Sequence, residues 1–192
     1  VGGRDLEVAA TMVVNAGGPY VPDVGRLTGT TTEHRLVFSK GIHLVVPQVT
    51  DSGRILAFFD DHERLFYVLP MGERSVIGTT DTPVDDPSVA VTEEDKVFLL
   101  EQINARLDLP RPLGNEDVIA ERCGVRTLVV EPGGVSEGRD WTELSRKHAV
   151  EAHRGLGVVS ILGGKLSDCL NVGEEVVDGG RRSLVVTAHT VD

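Results

Sequence analysis

The period of the hydrophobic pattern changes along the chain, and those changes divide it into segments. Val158-Val159-Ser160-Ile161-Leu162 is an unbroken apolar run closed by Gly163-Gly164, which predicts a buried strand. Beyond it, Leu166, Cys169, Leu170, Gly173 and Val177 recur at the spacing of one helical stripe. A strand therefore hands over to a helix at two glycines, with Lys165 at the junction. The first amides of a helix lack intrahelical partners and carry partial positive charge, so an anion or an electron-rich ring edge is stabilised there. Equally, the same residues make a glycine-softened turn with a solvent-facing lysine.

The stretch Ala9-Ala10-Thr11-Met12-Val13-Val14, followed by Asn15-Ala16-Gly17-Gly18-Pro19, repeats this design near the other end. The two strands are expected in one mostly parallel sheet whose carboxyl ends face a common ligand, although a simple strand-turn satisfies the second stretch as well. A buried strand at 9–14 needs neighbours on both edges, so the sequence reads as part of a longer protein. Between these strands the period shortens to two. Runs at 37–47, 55–59, 65–69 and 76–79, separated by Asp60-Asp61-His62-Glu63 and Met71-Gly72-Glu73-Arg74, predict an inserted antiparallel meander.

Thr92 is placed to cap a helix with Glu93, Glu94 and Asp95 in its first turn, a buried stripe of Val97, Leu100, Ile103 and Leu107, and Pro110 and Pro112 as terminators. Residues 118–130 predict a strand carrying Arg126 in mid-run. A loop containing Pro132-Gly133-Gly134 follows, then a run at 144–153 that returns through Arg154-Gly155 to the first sheet. Leu184-Val185-Val186-Thr187 reads as a short terminal strand.

Composition narrows the partners. A net charge of −11 over 192 residues argues against a nucleic-acid surface or an anionic membrane surface. An anionic small molecule would need a local basic pocket. Cys123 and Cys169 make no disulfide framework, the six histidines show no zinc spacing, and no metal site is expected. No signal peptide or membrane-length apolar run is present. Arg126 and Arg146, beside apolar strand residues, suit bidentate phosphate or carboxylate binding, or a surface ion pair with one of thirty acidic residues.

Taken together, Val14-Asn15-Ala16-Gly17-Gly18-Pro19, Lys40-Gly41-Ile42-His43-Leu44-Val45-Val46-Pro47, Val68-Leu69-Pro70, Ile77-Gly78-Thr79-Thr80-Asp81-Thr82, Thr92-Glu93-Glu94-Asp95, Gly124-Val125-Arg126, Ser145-Arg146 and Gly163-Gly164-Lys165-Leu166 resemble one family in its order. It is that of the FAD-dependent glycerol-3-phosphate dehydrogenases and the similar glycerol-3-phosphate oxidases, and the likeness runs from about Ala10 to Asp178.

The resemblance implies an α/β fold, α+β overall: the rear of an FAD-binding doubly wound domain (1–22 and 155–180), an antiparallel substrate domain (23–154) and an unassigned tail (181–192). The implied reaction oxidises sn-glycerol 3-phosphate to dihydroxyacetone phosphate, with FAD taking the hydride and a quinone or oxygen taking the electrons. Carried over by motif, Arg126 and Arg146 hold the substrate phosphate. Lys165 sits near substrate and flavin, Gly163, Gly164, Leu166 and Ser167 line the flavin edge, and Gly17 approaches the dinucleotide.

A hydride leaves carbon cheaply only if the hydroxyl proton is also removed, and His43 is the candidate base, unless it is a structural strand histidine. Thr79 or Asp81 is a further contact, although Asp81 also suits a turn. Family members of the quinone-linked kind sit on the inner face of the membrane, which suggests a cytoplasmic, peripherally attached protein; a homodimer is a further expected partner.

Two departures stand out. The G-x-G-x-x-G fingerprint that the family carries upstream is absent, and Ser167-Asp168-Cys169-Leu170 stands where the family has Thr-Thr-Tyr-Arg. Asp168 is expected either to point away as a first-turn helix stabiliser or to make the flavin harder to reduce. The competing class is a phosphometabolite-binding or interaction module without redox chemistry.

Overall fold

Residues 6–59, 64–130 and 147–185 are described by the computed structural model of the protein. In chain order the elements are β1 (Val13–Asn15), α1 (Val21–Thr28), β2 (Arg35–Pro47), β3 (Leu56–Phe59), β4 (Leu65–Met71), β5 (Arg74–Gly78), β6 (Thr82–Val84), α2 (Glu93–Arg106), β7 (Ala120–Val130), β8 (His148–His153), β9 (Val158–Gly163) and α3 (Cys169–Val185). They form a mixed α/β fold divided into two compact units, Val1–Val37 with Thr127–Asp192, and Phe38–Arg126. The division brings 23–37 and 127–154 into the first unit, because β8 hydrogen-bonds along the whole of β9.

In the first unit the sheet order is β1-β9-β8. The two glycine-ended strands lie side by side and parallel, Val13 opposite Val158 and Asn15 opposite Ser160. β8 returns antiparallel, with His148 opposite Gly163. Asn15, 2% exposed, closes the end of β1 by donating from Nδ2 to the carbonyl of Val21 at 3.0 Å. The expected buried strand at 9–14 is corrected: only Val13–Asn15 is strand, and Val13 and Val14 are exposed. β1 ends the sheet and has β9 as its one partner among the described residues.

Helix α3 packs across β8 and β9, but on a different face from the one its leucines suggest. Leu166, Leu170 and Val177 are exposed, while Val172, Val176, Gly179 and Gly180 turn inward. The glycines set the phase. A Cβ on Gly179 would already touch Ala152, Val150 and Val159 at 3.6–3.7 Å, so this is where the helix approaches the sheet. Leu184 and Val185 continue the helix rather than form a strand; Val186 and Thr187 lie outside the described residues.

In the second unit the meander forms as expected, with order β3-β4-β5-β2-β6 and β7 paired to β2. Leu56, Val68, Ile77 and Leu44 line up across four strands. With Ile42, Val46 and Phe66 they pack against Leu99, Leu100 and Ile103 of α2. Val97, expected in that stripe, is 51% exposed. It lies six residues from Ile103, roughly 120° around the helix.

One buried ion pair ties α2 to the sheet. Asp95 completes a capping box with Thr92 and also receives Lys40 Nζ at 2.5 Å, each side chain 9% exposed. Burial pushes the Asp95 carboxyl up, but the hydrogen bonds from Lys40 and the Thr92 amide outweigh it and hold the carboxyl below its usual range. Lys40→Met is therefore expected to destabilise the protein by about 3 kcal/mol, since it leaves a buried carboxylate unpaired. The lowered carboxyl contributes stability above the unfolded pKa near 4 that is lost as pH falls through the folded value. Urea unfolding should accordingly show the wild-type advantage at neutral pH shrinking in acid; equal midpoints at pH 7 would refute the role. Among the described residues no helix is long and apolar enough to cross a membrane.

Candidate active site

Strand alternation sorts β2 onto two faces. Lys40, Ile42, Leu44 and Val46 turn to α2, leaving Ser39, Gly41 and His43 on the other. There Arg126 of β7 lays its guanidinium against Gly41, where a Cβ would overlap both terminal nitrogens and stand 2.7 Å from Cζ. Nη2 donates to Thr79 Oγ1 at 2.7 Å, and Nη1 donates to the Thr80 carbonyl at 3.2 Å and to Asp81 Oδ1 at 3.3 Å. Ser39 donates its hydroxyl to the same Asp81 oxygen. Asp81 thus holds Arg126 and Ser39 together just before β6. The Arg126 side chain remains about a third exposed, 33%, with its guanidinium held by three acceptors.

His43 sits on this face opposite Gly78, where a side chain would run into the imidazole at Cδ2, 2.7 Å away. Burial holds the His43 pKa below its usual value, assisted by the positive charges of Arg126 and then Arg122. The ring is consequently neutral at neutral pH and able to accept a proton. Arg122 shares the face by its even spacing from Arg126, four residues along β7.

The second cluster belongs to the first unit. Gly163 and Gly164 both take positive φ, +63° and +91°, and a Cβ on Gly163 would stand 2.6 Å from Val129 Cγ2. The backbone leaves the sheet here, and Leu166–Asp168 forms a single 3-10 turn before α3. Lys147, Lys165, Ser167 and Asp168 line a cleft of about 340 Å³ at this point. Asp168 does not project freely. Its Oδ2 lies 2.6 Å from His148 Nδ1 and its Oδ1 accepts from Asn171 Nδ2 at 2.6 Å. The Asn171 bond first, and the His148 bond next, hold its carboxyl below the usual range.

Of the residues picked from sequence, His43 and Arg126 share one face, Gly163, Gly164, Lys165, Leu166 and Ser167 share one turn, and Gly17 lies in the turn after β1, its amide bonded to Asn15 Oδ1 at 3.3 Å. Arg146 lies outside the described residues. Sequence reasoning passed over Thr80, Arg122 and His148. Alternation along β7 signals Arg122, and the register of a β8–β9 hairpin would have put His148 opposite Gly163.

The FAD dependent oxidoreductase family matches residues 1–168. The chain belongs to that family. It is 31% identical over 180 residues to the aerobic glycerol-3-phosphate dehydrogenase of Staphylococcus haemolyticus, covering 92% of this chain and 31% of that protein. The structure of the glycerol-3-phosphate dehydrogenase from Bacillus halodurans complexed with FAD aligns with a TM-score of 0.72 and 28% identity over 93% of this chain and 33% of that one. The FAD-bound L-α-glycerophosphate oxidase from Mycoplasma pneumoniae shares the fold, with a TM-score of 0.58 and 19% identity, covering 90% of this chain and 42% of that chain. The chain thus spans about a third of the length of the dehydrogenases it matches. Its α/β fold, with one glycine-ended parallel strand pair and one antiparallel sheet, is that of an FAD-dependent oxidoreductase.

Proposed function

We propose that this chain is the substrate-binding portion and part of the FAD-binding portion of a glycerol-3-phosphate dehydrogenase, oxidising sn-glycerol 3-phosphate to dihydroxyacetone phosphate. The observation that carries the reading is the fixed Arg126 fork beside a neutral His43, a basic site within a chain of net charge −11. Arg126 takes two oxygens of the substrate phosphate, and Arg146 adds a second guanidinium. His43 removes the C2 hydroxyl proton. FAD, when bound, supplies the two-electron acceptor for the C2 hydride.

The glycine turn fits that cofactor. Gly163 and Gly164 let the turn pack closely against Val129 and His148, and Lys165 and Lys147 supply positive charge beside the cleft. Lys165, Gly163, Gly164, Leu166 and Ser167 would hold the ring edge, and Gly17 the dinucleotide. Phe38–Arg126 then serves the substrate, and the β1-β9-β8 unit serves the cofactor. A quinone takes the electrons and the protein sits peripherally on the inner face of the membrane; oxygen is the alternative acceptor.

The test is visible flavin absorbance of the full-length protein before and after sn-glycerol 3-phosphate without oxygen. Bleaching is the expected result, followed by faster recolouring with a quinone analogue than with oxygen. A yellow protein that stays yellow would refute the substrate assignment.

A further inference from the structure

His148 is a buried titratable side chain of the cofactor unit that the proposed chemistry does not use. Its side chain is 9% exposed at the start of β8. Nδ1 meets Asp168 Oδ2 at 2.6 Å, while Nε2 lies 3.0 Å from Glu175 Oε1 without the alignment of a hydrogen bond, so this buried nitrogen has no aligned partner. The ring also lies beneath the turn. A Cβ on Gly164 would stand 3.0 Å from His148 Cβ, and the β8–β9 register places His148 directly opposite Gly163. One residue therefore packs against the strand end and the glycine turn and brings its ring to two carboxylates of the following helical segment.

We propose that His148 is a positioning residue for the cofactor turn: by binding the Asp168 carboxylate, together with Asn171, it keeps that negative charge off the Lys147–Lys165 cleft and fixes the path of Gly163–Ser167. The inference rests on the reading that this turn holds the flavin edge. Its reasoning is geometric. Both Asp168 oxygens are occupied, one by His148 and one by Asn171, and Asp168 is also a wall of the cleft. Without the imidazole donor, one oxygen loses its partner, and Lys165, whose charge already acts on this carboxyl, draws it toward the cleft. A carboxylate turned that way would neutralise the positive charge that favours negative charge building on a reduced ring. The same bond crosses from β8 to the 3-10 turn, so it also limits how far the turn can move from the sheet.

The experiment uses full-length protein reconstituted with FAD, in the variants His148→Gln, Asp168→Asn and the double variant, with Lys165→Met as a marker of the cofactor edge. The readouts are the FAD dissociation constant and the flavin midpoint potential. His148→Gln is expected to weaken FAD binding about tenfold, the scale of losing one hydrogen bond to a charged group, and to lower the potential. Adding Asp168→Asn to it should return the potential toward the wild-type value, which a merely structural role for His148 would not produce. If His148→Gln does not fold, Asp168→Asn alone decides: it weakens the bond between β8 and the turn and should loosen FAD binding with the potential kept near the wild-type value, and an unchanged dissociation constant overturns the proposal. If Lys165→Met shifts the potential while His148→Gln changes neither readout, the positioning role is wrong and the cofactor reading stands. If no variant moves either readout, the turn does not hold the flavin edge, and both fall.

Discussion

Replacing Arg126 with alanine is expected to raise KM for glycerol 3-phosphate roughly a hundredfold in the full-length enzyme, because truncating one partner of a hydrogen-bonded charge pair costs about 3 kcal/mol. Arg126→Lys should recover little of this. Lysine keeps the charge, but its single ammonium cannot satisfy Thr79 Oγ1 and the Thr80 carbonyl at once and also meet a phosphate with a planar fork. Steady-state kinetics over substrate concentration checks both variants. A KM unchanged by alanine would remove Arg126 from phosphate binding and leave it as a brace for the 79–81 turn. The change has a second consequence, since Arg126 helps to hold the His43 pKa down; losing it should let that pKa rise.

His43→Gln should lower the rate of anaerobic flavin reduction by about a thousandfold, the usual scale for losing a positioned general base, with FAD still bound. The pH dependence supplies an independent check. A base works in its neutral form, so activity is present above its pKa and lost as pH falls through it. Because burial, then Arg126 and Arg122, lower the His43 pKa from its usual 6.5, the acid limb of kcat/KM should lie below pH 6.5, and in Arg126→Ala it should move upward. Stopped-flow reduction at several pH values measures this. A limb that stays in place in His43→Gln, with the rate retained, would identify another base and leave His43 as a packed strand residue.

Much of this arrangement was legible in the residues because the signals are local. The paired glycines, the Thr92 cap and the alternating runs each depend on near neighbours, and each element formed. So did the pairing of β1 with β9, since two apolar strands ending in glycine share one environment. What escaped depends on contacts distant in sequence. The apolar stripe of Leu166, Leu170 and Val177 is a sound helical pattern, yet close approach of Gly179 to Ala152, Val150 and Val159 sets the phase of α3. Periodicity scores a glycine as neutral and a leucine as core. Val97 was misplaced for a similar reason: Leu99 supplies the contact with the sheet, and a stripe drawn through Val97 runs along the wrong edge of the same helix.

At the site, basic residue types beside apolar strand residues singled out Arg126 and Arg146, the glycine junction singled out Lys165, and the need for a base singled out His43. Their neighbours were harder to read. Thr80 acts through its carbonyl, which any residue possesses, and His148 acts through a register that exists only once β8 and β9 pair. Asp168 was seen as a choice between helix stabiliser and flavin repellent. Its bonds to His148 and Asn171 add a third state, a charge held by side-chain partners.

The two duties of Asp95 bear on how α2 moves. First turns of helices fray easily, opening and closing without disturbing the rest of a fold. Here the carboxylate that caps the first turn also holds Lys40, the residue before Gly41 on β2. The helix end cannot open without breaking the Lys40 pair on the strand that carries Gly41 and His43. Local breathing of the helix end is thereby coupled to the strand that forms the floor beneath Arg126.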